Sequence, residues 1–418
     1  MVLFLFYNAY NKGRLSYRRR GRLVRQKLHH LNYNIFLPYI LLVVFGIVMV
    51  YSASSDILLV NGFNPAVYGI RQAVYAFFAV FIFGALCFFL KLDIFKSRKF
   101  VVWFLGISIL LLFYLICLKI FKGSAAAVNG SVGWIDLKVI KIQPLEIAKL
   151  SLIIYLAYFL DRHDGSFKKG QIIQNLSRPA ILAAFMMFLV ILEPDFGGTA
   201  VLAMIVIVMF SVSGVPAKNA VLCLIGIAVG VYLLVFLIIK WNPEFLQNKY
   251  QYRRFLSFLH PFELEQKGGA QLVNSYYAIH NGGLFGVGLG NSMQKRGYLP
   301  EPYTDFILAV IAEEIGVIGA LIVVGLIFYL IWSIMEVGIH ASSQFNALVC
   351  FGVATIIFTQ TVFNVGAVLG LLPITGVTLP FISYGGSSLI ILSAAIGIVL
   401  NISANERIKN EERFANEH

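Results

Sequence analysis

Charge is scarce in this chain: Asp, Glu, Lys and Arg make up 13% of its 418 residues, and hydrophobic residues make up 59%. That is too little polar side chain to cover a water-soluble globule of this length, so the solvent must be largely lipid. Cysteine is also sparse. Cys87, Cys117, Cys223 and Cys350 all fall inside long apolar runs, which implies no disulfide framework. The His residues form no H-x-x-x-H or H-x-x-E-H pair and there is no C-x-x-C, so a structural zinc site is not expected. The glycine run Gly282, Gly283, Gly286, Gly288, Gly290 has no G-K-[ST] after it and no βαβ context, which argues against a nucleotide site. No A-x-A-like cleavage site follows the first apolar run, and the basic stretch before it is long, so it does not read as a secretory signal peptide.

What the chain does have is apolar runs of membrane length. A hydrocarbon core about 30 Å thick needs roughly 20 apolar residues per helical span. Seven runs are clear: Ile35 to Ala53, Ala73 to Leu90, Val101 to Ile120, Ala220 to Ile239, Phe306 to Ile331, Asn346 to Leu369 and Phe381 to Ile402. Three more are shorter or carry polar residues: Ile147 to Leu160, Ala180 to Leu192 and Thr199 to Ser213. The expected fold class is therefore an all-α integral membrane protein with about ten transmembrane helices. An even count puts both termini on one side.

The basic residues choose that side. Arg14, Arg18, Arg19, Arg20, Arg22, Arg25 and Lys27 crowd before the first span, and Lys91, Lys96, Arg98 and Lys99 fill the second loop. Lys and Arg accumulate on the cytoplasmic side, so both termini read as cytoplasmic. A basic arm beside a first span is a topology signal or an anionic-lipid contact, and nucleic-acid binding is not inferred from it. The chain divides into a basic cytoplasmic arm at 1–33, a transmembrane domain at 34–403 with one long extracellular loop at about 241–304, and a cytoplasmic tail at 404–418.

Polar clusters then gather on the outer face. One loop reads Asn129-Gly130-Ser131-Val132-Gly133-Trp134-Ile135-Asp136 and runs on to Gln143-Pro144-Leu145-Glu146; another reads Glu193-Pro194-Asp195-Phe196-Gly197-Gly198. The long loop exceeds what a plain connector needs, so part of it is expected to be a functional or re-entrant element. Some ionisable residues stand where lipid penalises charge. Glu146 and Lys149, spaced i to i+3, share a helix face at the start of the fourth span, and Glu313 and Glu314 lie two turns or more beyond Asp305. A charge at bilayer depth costs about 2.5 to 3.5 kcal/mol on insertion scales, so such residues face a polar cavity or a partner. Glu146 with Lys149 reads equally as a structural ion pair, Asp305 as a helix cap, and Asp195 as a cap for the sixth span.

Six ordered motifs carry a family resemblance. They are Asn129-Gly130 with Trp134-Ile135; Gln143-Pro144-Leu145-Glu146-Ile147-Ala148-Lys149-Leu150; Glu193-Pro194-Asp195-Phe196-Gly197; Gly286 to Lys295; Tyr298-Leu299-Pro300-Glu301 with Thr304-Asp305-Phe306; and Leu379-Pro380-Phe381-Ile382-Ser383-Tyr384-Gly385-Gly386-Ser387-Ser388. Together they resemble the SEDS family of FtsW, RodA and SpoVE over nearly the whole chain. The resemblance implies a bacterial peptidoglycan glycosyltransferase that polymerises lipid II outside the cytoplasmic membrane alongside a class B penicillin-binding protein. It also implies that Asp305 is the catalytic residue and that Trp134 is functionally important. Asn364-Val365-Gly366, the Asn291 to Lys295 run and Thr378 lean to the division branch, hence to the septum, rather than to elongation. Tyr303 stands where the family commonly has His, Leu145 where Ser or Ala is frequent, and Gly133 where a basic or polar residue is usual.

The residues suit that reaction. Chain growth needs the 4-hydroxyl of one lipid-linked disaccharide to attack the anomeric carbon of another, displacing a polyprenyl diphosphate with inversion. A carboxylate base and positive charge at the leaving group are required. Asp305 is the expected base, with a pKa raised by partial burial beside Glu301. Arg253, Arg254, Lys295 and Arg296 are candidates for the diphosphate, with Mg²⁺ or Mn²⁺ bridging to a carboxylate as an optional cofactor and no nucleotide. Trp134, Glu146, Lys149, Glu193, Asp195, Glu301 and Ser383 complete the expected substrate-binding set. A lipid II flippase is the main competing class, since intramembrane Glu146 and Lys149 also suit a transporter, although no internal repeat accompanies them.

Overall fold

The structure is a computed structural model that describes residues 25–122, 133–136, 141–167, 172–213, 250–265 and 268–417. Arg14 to Arg22 of the basic arm, the Asn129-Gly130 pair and the apolar run Ala220 to Ile239 lie outside the described residues.

The chain is helical almost throughout. Helix α1 spans Tyr33–Val60 and starts at Asn32, whose side chain accepts from the Asn34 N–H. Helix α2 spans Val67–Phe89 and contains the π-helical stretch Phe78–Gly84. There follow α3 (Arg98–Lys122), α4 (Pro144–Phe167), α5 (Ile172–Leu192) and α6 (Phe196–Val212), then α7 (Tyr250–Leu259) and α8 (Ala270–Gly282), then α9 (Ile307–Ile339), α10 (Gln344–Val368) and α11 (Gly386–Glu417). Between α3 and α4 a short antiparallel hairpin pairs Ile135 with Ile142 and Asp136 with Lys141.

Six helices, α1, α2, α3, α9, α10 and α11, are long and apolar enough to cross a membrane, which makes this a multi-pass membrane protein. Burial sorts them into layers. The apolar stretch of α11 is 89% buried and that of α10 is 72%, whereas those of α2 and α3 are 28%. So α10 and α11 form the centre, while α2 and α3 turn side chains such as Phe81, Leu86, Trp103 and Leu110 outward. Lipid is as apolar as those side chains, so tight helix contacts rest on small residues. A Cβ on Gly352 of α10 would meet Ile153 of α4 at 2.7 Å, and one on Gly397 of α11 would strike the Gly84 carbonyl.

The tenth run starts later than its sequence suggests. Phe381 does not open a helix; it holds a positive φ of 66°, and α11 begins only at Gly386. The cause is the turn before it, where Ser383 Oγ accepts from the Leu379 N–H at 2.9 Å and donates to the Thr304 carbonyl at 2.7 Å. Helix α11 runs unbroken through the 403/404 boundary, and its residues 409–416 are exposed. Lys27 of the basic arm has its own task at this end: its Nζ donates to the Phe88 and Leu90 carbonyls and to Asn401 Oδ1, tying the end of α2 to α11.

The segment from α8 to α9 is folded onto the bundle. Helix α9 breaks at Gly316, which holds φ 77° and ψ 172°. The break frees backbone groups on both sides, and the segment after α8 takes them up. Val287 and Gly288 N–H groups donate to the Glu313 and Glu314 carbonyls at 3.0 and 2.9 Å, and Val317 and Ile318 N–H groups donate to Gly283 and Leu284 at 3.0 and 3.3 Å. Non-helical backbone at this depth needs internal partners. A Cβ on Gly286 would collide with the Glu314 carbonyl and one on Gly316 with Leu284, so glycine is required at both contacts. The glycine run is thus a docking strap.

Candidate active site

Loops and helix ends close over a cavity of about 430 Å³. Its walls come from α2, the short hairpin with the start of α4, the turn before α6, α7, the strap end at 301–305, α10, and the segments 375–378 and 384–386. Six of the expected residues line it together with Asp305: Trp134, Glu146, Lys149, Asp195, Arg254 and Glu301. Residues far apart in sequence therefore share one chamber.

Asp305 sits in the turn just before α9. It does not cap that helix: the N-cap position is Phe306, with no side-chain cap bond. Its carboxyl is left facing the cavity. Burial pushes that carboxyl up to about 6, Arg254 opposes the shift, and the carboxylates of Glu301 and Asp195 add to it. The backbone of the turn is held from two sides. Asn364 Nδ2 donates to the Asp305 carbonyl at 2.8 Å and to the Val377 carbonyl at 2.9 Å, and Ser383 grips the Thr304 carbonyl. Glu301 closes the turn with a positive φ of 56° and accepts from Thr304 Oγ1 at 3.0 Å. Strained backbone of this kind persists where the surroundings over-determine it.

Glu146 and Lys149 form an ion pair at 2.7 Å with both side chains almost fully buried, as their spacing suggested. The pair fixes the first turn of α4 in the cavity wall and leaves Glu146 Oε2 without a hydrogen-bond partner among the described residues. Asp195 does two things: its Oδ1 accepts from the Gly198 N–H at 2.7 Å to cap α6, and it lines the cavity. Its carboxyl is also raised, by burial first, with the Gly198 N–H opposing.

Other expected residues are placed elsewhere. Glu193 is buried outside the cavity wall, where desolvation pushes its carboxyl up to about 9, with Asp195 adding and Lys119 opposing. Its charge is coupled to Asp195, which lines the cavity. Lys295 is not a cavity cation. It is 1% exposed behind the wall, 2.9 Å from Glu314 and 3.2 Å from Ser52 Oγ, with Asp56 at 4.0 Å. Arg296 pairs with the same Asp56 at 3.5 Å. The strap dives into the α9 break and carries both cations away from the substrate space. Ser383 likewise does not line the cavity; it clamps the turn that carries Asp305. The Arg253 side chain lies outside the described residues.

Two groups of cavity residues were not anticipated. Tyr68, Tyr303 and Tyr384 form an aromatic cluster, with Tyr68 centroids 5.0 Å from both of the others, and Arg71 lies over Tyr68 at 5.9 Å. Tyr303, which replaces a His in the motif, is thus part of the wall. Tyr68, Arg71 and Tyr75 recur at helical spacing at the start of an apolar span, and that polar stripe was the available signal. Gln360 of α10 lines the floor. Thr359 and Thr361 flank it, and that short polar patch within an apolar run was the available signal.

Comparison with known proteins agrees with this arrangement. Residues 32–408 match the model of the cell cycle protein family FtsW/RodA/SpoVE. The chain is 38% identical over 407 residues to the probable peptidoglycan glycosyltransferase FtsW of Lactococcus lactis, covering 94% of this chain and 97% of that one. It is 40% identical to the protein of that description from Enterococcus hirae, covering 90% and 94%. Among solved structures, one described as the structural coordination of polymerization and crosslinking by a peptidoglycan synthase complex superposes with a TM-score of 0.71 at 28% identity, covering 90% of this chain and 98% of that chain. The rod shape determining protein RodA of Thermus thermophilus superposes at 0.61 with 26% identity, covering 90% and 97%. On the residues matched and the cavity they build, the chain belongs to the FtsW/RodA/SpoVE family of cell cycle proteins, the SEDS family.

Proposed function

We propose that this protein is a peptidoglycan glycosyltransferase of the FtsW type, polymerising lipid II on the outer face of the bacterial cytoplasmic membrane for septal wall synthesis. The observation that carries the reading is Asp305: a carboxyl lining the cavity, with its pKa raised to about 6, beside the Arg254 guanidinium. A base poised near working pH abstracts a proton effectively without being held protonated. The 4-hydroxyl of the acceptor sugar gives its proton to the Asp305 carboxylate as its oxygen bonds to the donor's anomeric carbon. The bond to the polyprenyl diphosphate breaks, and the diphosphate leaves with the electron pair on the opposite face, inverting the centre. Arg254 and Lys141, both in the cavity wall, supply positive charge for the departing diphosphate. Trp134 and the Tyr68 cluster offer flat faces to sugar rings.

The topology that fits this role has ten spans with both termini cytoplasmic, α4 to α6 and the Ala220 to Ile239 run completing the count. Among the described residues no three His, Cys, Asp or Glu converge as a metal site. Mg²⁺ or Mn²⁺, if the reaction uses one, would be held by wall carboxylates such as Glu301 and would neutralise charge on the departing diphosphate. A class B penicillin-binding protein is the proposed partner, because the superposed synthase complex couples polymerization to crosslinking.

The test is purified protein with its cognate transpeptidase and fluorescent lipid II in detergent. Glycan strands that vanish with Asp305→Ala support the enzyme. Transfer of lipid II across liposomes with no strands would establish a flippase instead. Co-purification with an elongation transpeptidase in place of the division one would move the protein to the RodA branch.

A further inference from the structure

The floor of the cavity holds a polar side chain to which the reaction outlined above gives no task. Gln360 is 1% exposed, lies on α10 between Thr359 and Thr361, and lines the chamber that contains Asp305. Its carboxamide oxygen has no hydrogen-bond partner among the described residues. A buried amide left unpaired is destabilising, so a core position of this kind favours leucine unless something in the cavity satisfies the amide.

Three further observations say what that something is. First, Gln360 is one helical turn before Asn364, on the same face of α10, and Asn364 holds the Asp305 carbonyl. The rise of about 1.5 Å per residue separates Gln360 from Asn364 by roughly 6 Å along the helix axis, on the order of the span of one sugar ring. Second, Glu146 of α4, which packs against α10, also presents a buried oxygen without a partner, Oε2, in the same cavity wall. Third, both open atoms are acceptors. A diphosphate at neutral pH is itself acceptor-only and anionic, so it is excluded from this end, whereas hydroxyl and acetamido N–H groups are donors that fit it.

We propose that Gln360 is a substrate-positioning residue that hydrogen-bonds a hydroxyl or acetamido N–H of the sugar whose 4-hydroxyl faces Asp305. The inference rests on the glycosyltransferase reading and adds the sugar end of the chamber to it. Glu146 supplies the second acceptor, and the cations Arg254 and Lys141 mark the diphosphate end. The carboxamide thereby sets which hydroxyl of the ring reaches the base.

The experiment uses the full chain with its transpeptidase partner. Gln360→Leu, close in volume, and Gln360→Asn, one methylene shorter, are compared for KM, kcat and thermal midpoint. Binding of fluorescent lipid II is measured separately in an Asp305→Asn background, where no turnover occurs. Loss of one such hydrogen bond corresponds to about a tenfold change in affinity. Gln360→Leu is expected to raise KM and weaken binding by about that factor, with a midpoint equal to or above wild type, and Gln360→Asn to fall between. Wild-type KM and binding in Gln360→Leu would overturn the proposal, and so would a lowered midpoint that accounts for the loss of activity. If the wild-type protein made no strands, the enzyme reading would fail, while the binding arm would still report on Gln360.

Discussion

Asn364 donates to the Asp305 carbonyl at 2.8 Å and to the Val377 carbonyl at 2.9 Å, so one buried amide sets both the turn that carries Asp305 and the segment at 377 that lines the same cavity. This contact is made by residues 59 positions apart. It turns a family motif residue into a mechanical one.

Asn364→Leu should therefore leave two carbonyls unpaired and let the turn drift. Each unsatisfied buried group costs about 1–3 kcal/mol. The expected outcome is a fall in kcat of ten- to a hundredfold with a smaller change in KM, and a lower melting midpoint in detergent. Steady-state polymerisation and a thermal unfolding scan decide it; unchanged kcat would remove Asn364 from any positioning role.

The pH profile follows from Asp305. As the base must be ionised, kcat/KM should rise as pH increases through about 6. Arg254 holds that carboxyl down against burial, so Arg254→Met should move the rising limb to higher pH. Rates measured on both proteins between pH 5 and 8, as about the usable range, test the shift.

Stability should move the other way. The folded pKa of Asp305, about 6, lies above its ordinary 3.8, so ionisation opposes folding. The contribution is fully present below the lower value and is lost as pH rises through the upper one. Asp305→Asn should thus be inactive yet melt higher than wild type above pH 6, with the two converging below pH 4 as about the unfolded value. A variant that melts lower at every pH would contradict the assignment.

Lys295 and Glu314, at 2.9 Å and both buried, anchor the strap to α9. Removing either partner strands a buried charge, typically about 3–5 kcal/mol. Lys295→Met and Glu314→Gln should each destabilise strongly, and the double variant by much less than their sum. A double-mutant cycle on unfolding in detergent measures the coupling.

Gly316→Ala tests the strap's other fastening. The position has φ 77°, and an added Cβ would strike the Leu284 carbonyl. Hydrogen exchange should increase at Val287, Gly288, Val317 and Ile318, whose N–H groups bridge the break, and polymerisation should fall with it. Unchanged exchange at all four would refute the docking role.

Much of this protein could be read along the chain. Apolar runs of bilayer length mark α1, α2, α3, α9 and α10 because a membrane span is a local property of composition and length. The i to i+3 pair Glu146 and Lys149 is local for the same reason, and Asp305 stood out because its motif is contiguous. The reading failed where the outcome depends on distant partners. Phe381 is apolar enough to begin a helix, yet Ser383 bonds back to Thr304, 79 positions away, and delays α11 to Gly386.

Lys295 and Arg71 mark the boundary between the two kinds of information. By charge and loop position Lys295 looked like a substrate cation, and Arg71 sat unnoticed at the head of an apolar span. Sequence by itself determined that this chain is a bundle of membrane helices with its polar motifs on one face, because lipid reads hydrophobic length directly. Only the tertiary structure decided which charges face the cavity. A strap docked at Gly316 buries Lys295 against Glu314, and the packing of α2 beside the 384–386 turn brings Arg71 to the wall. The first contact spans 19 positions and the second more than three hundred, and neither follows a helical spacing that a local pattern could encode.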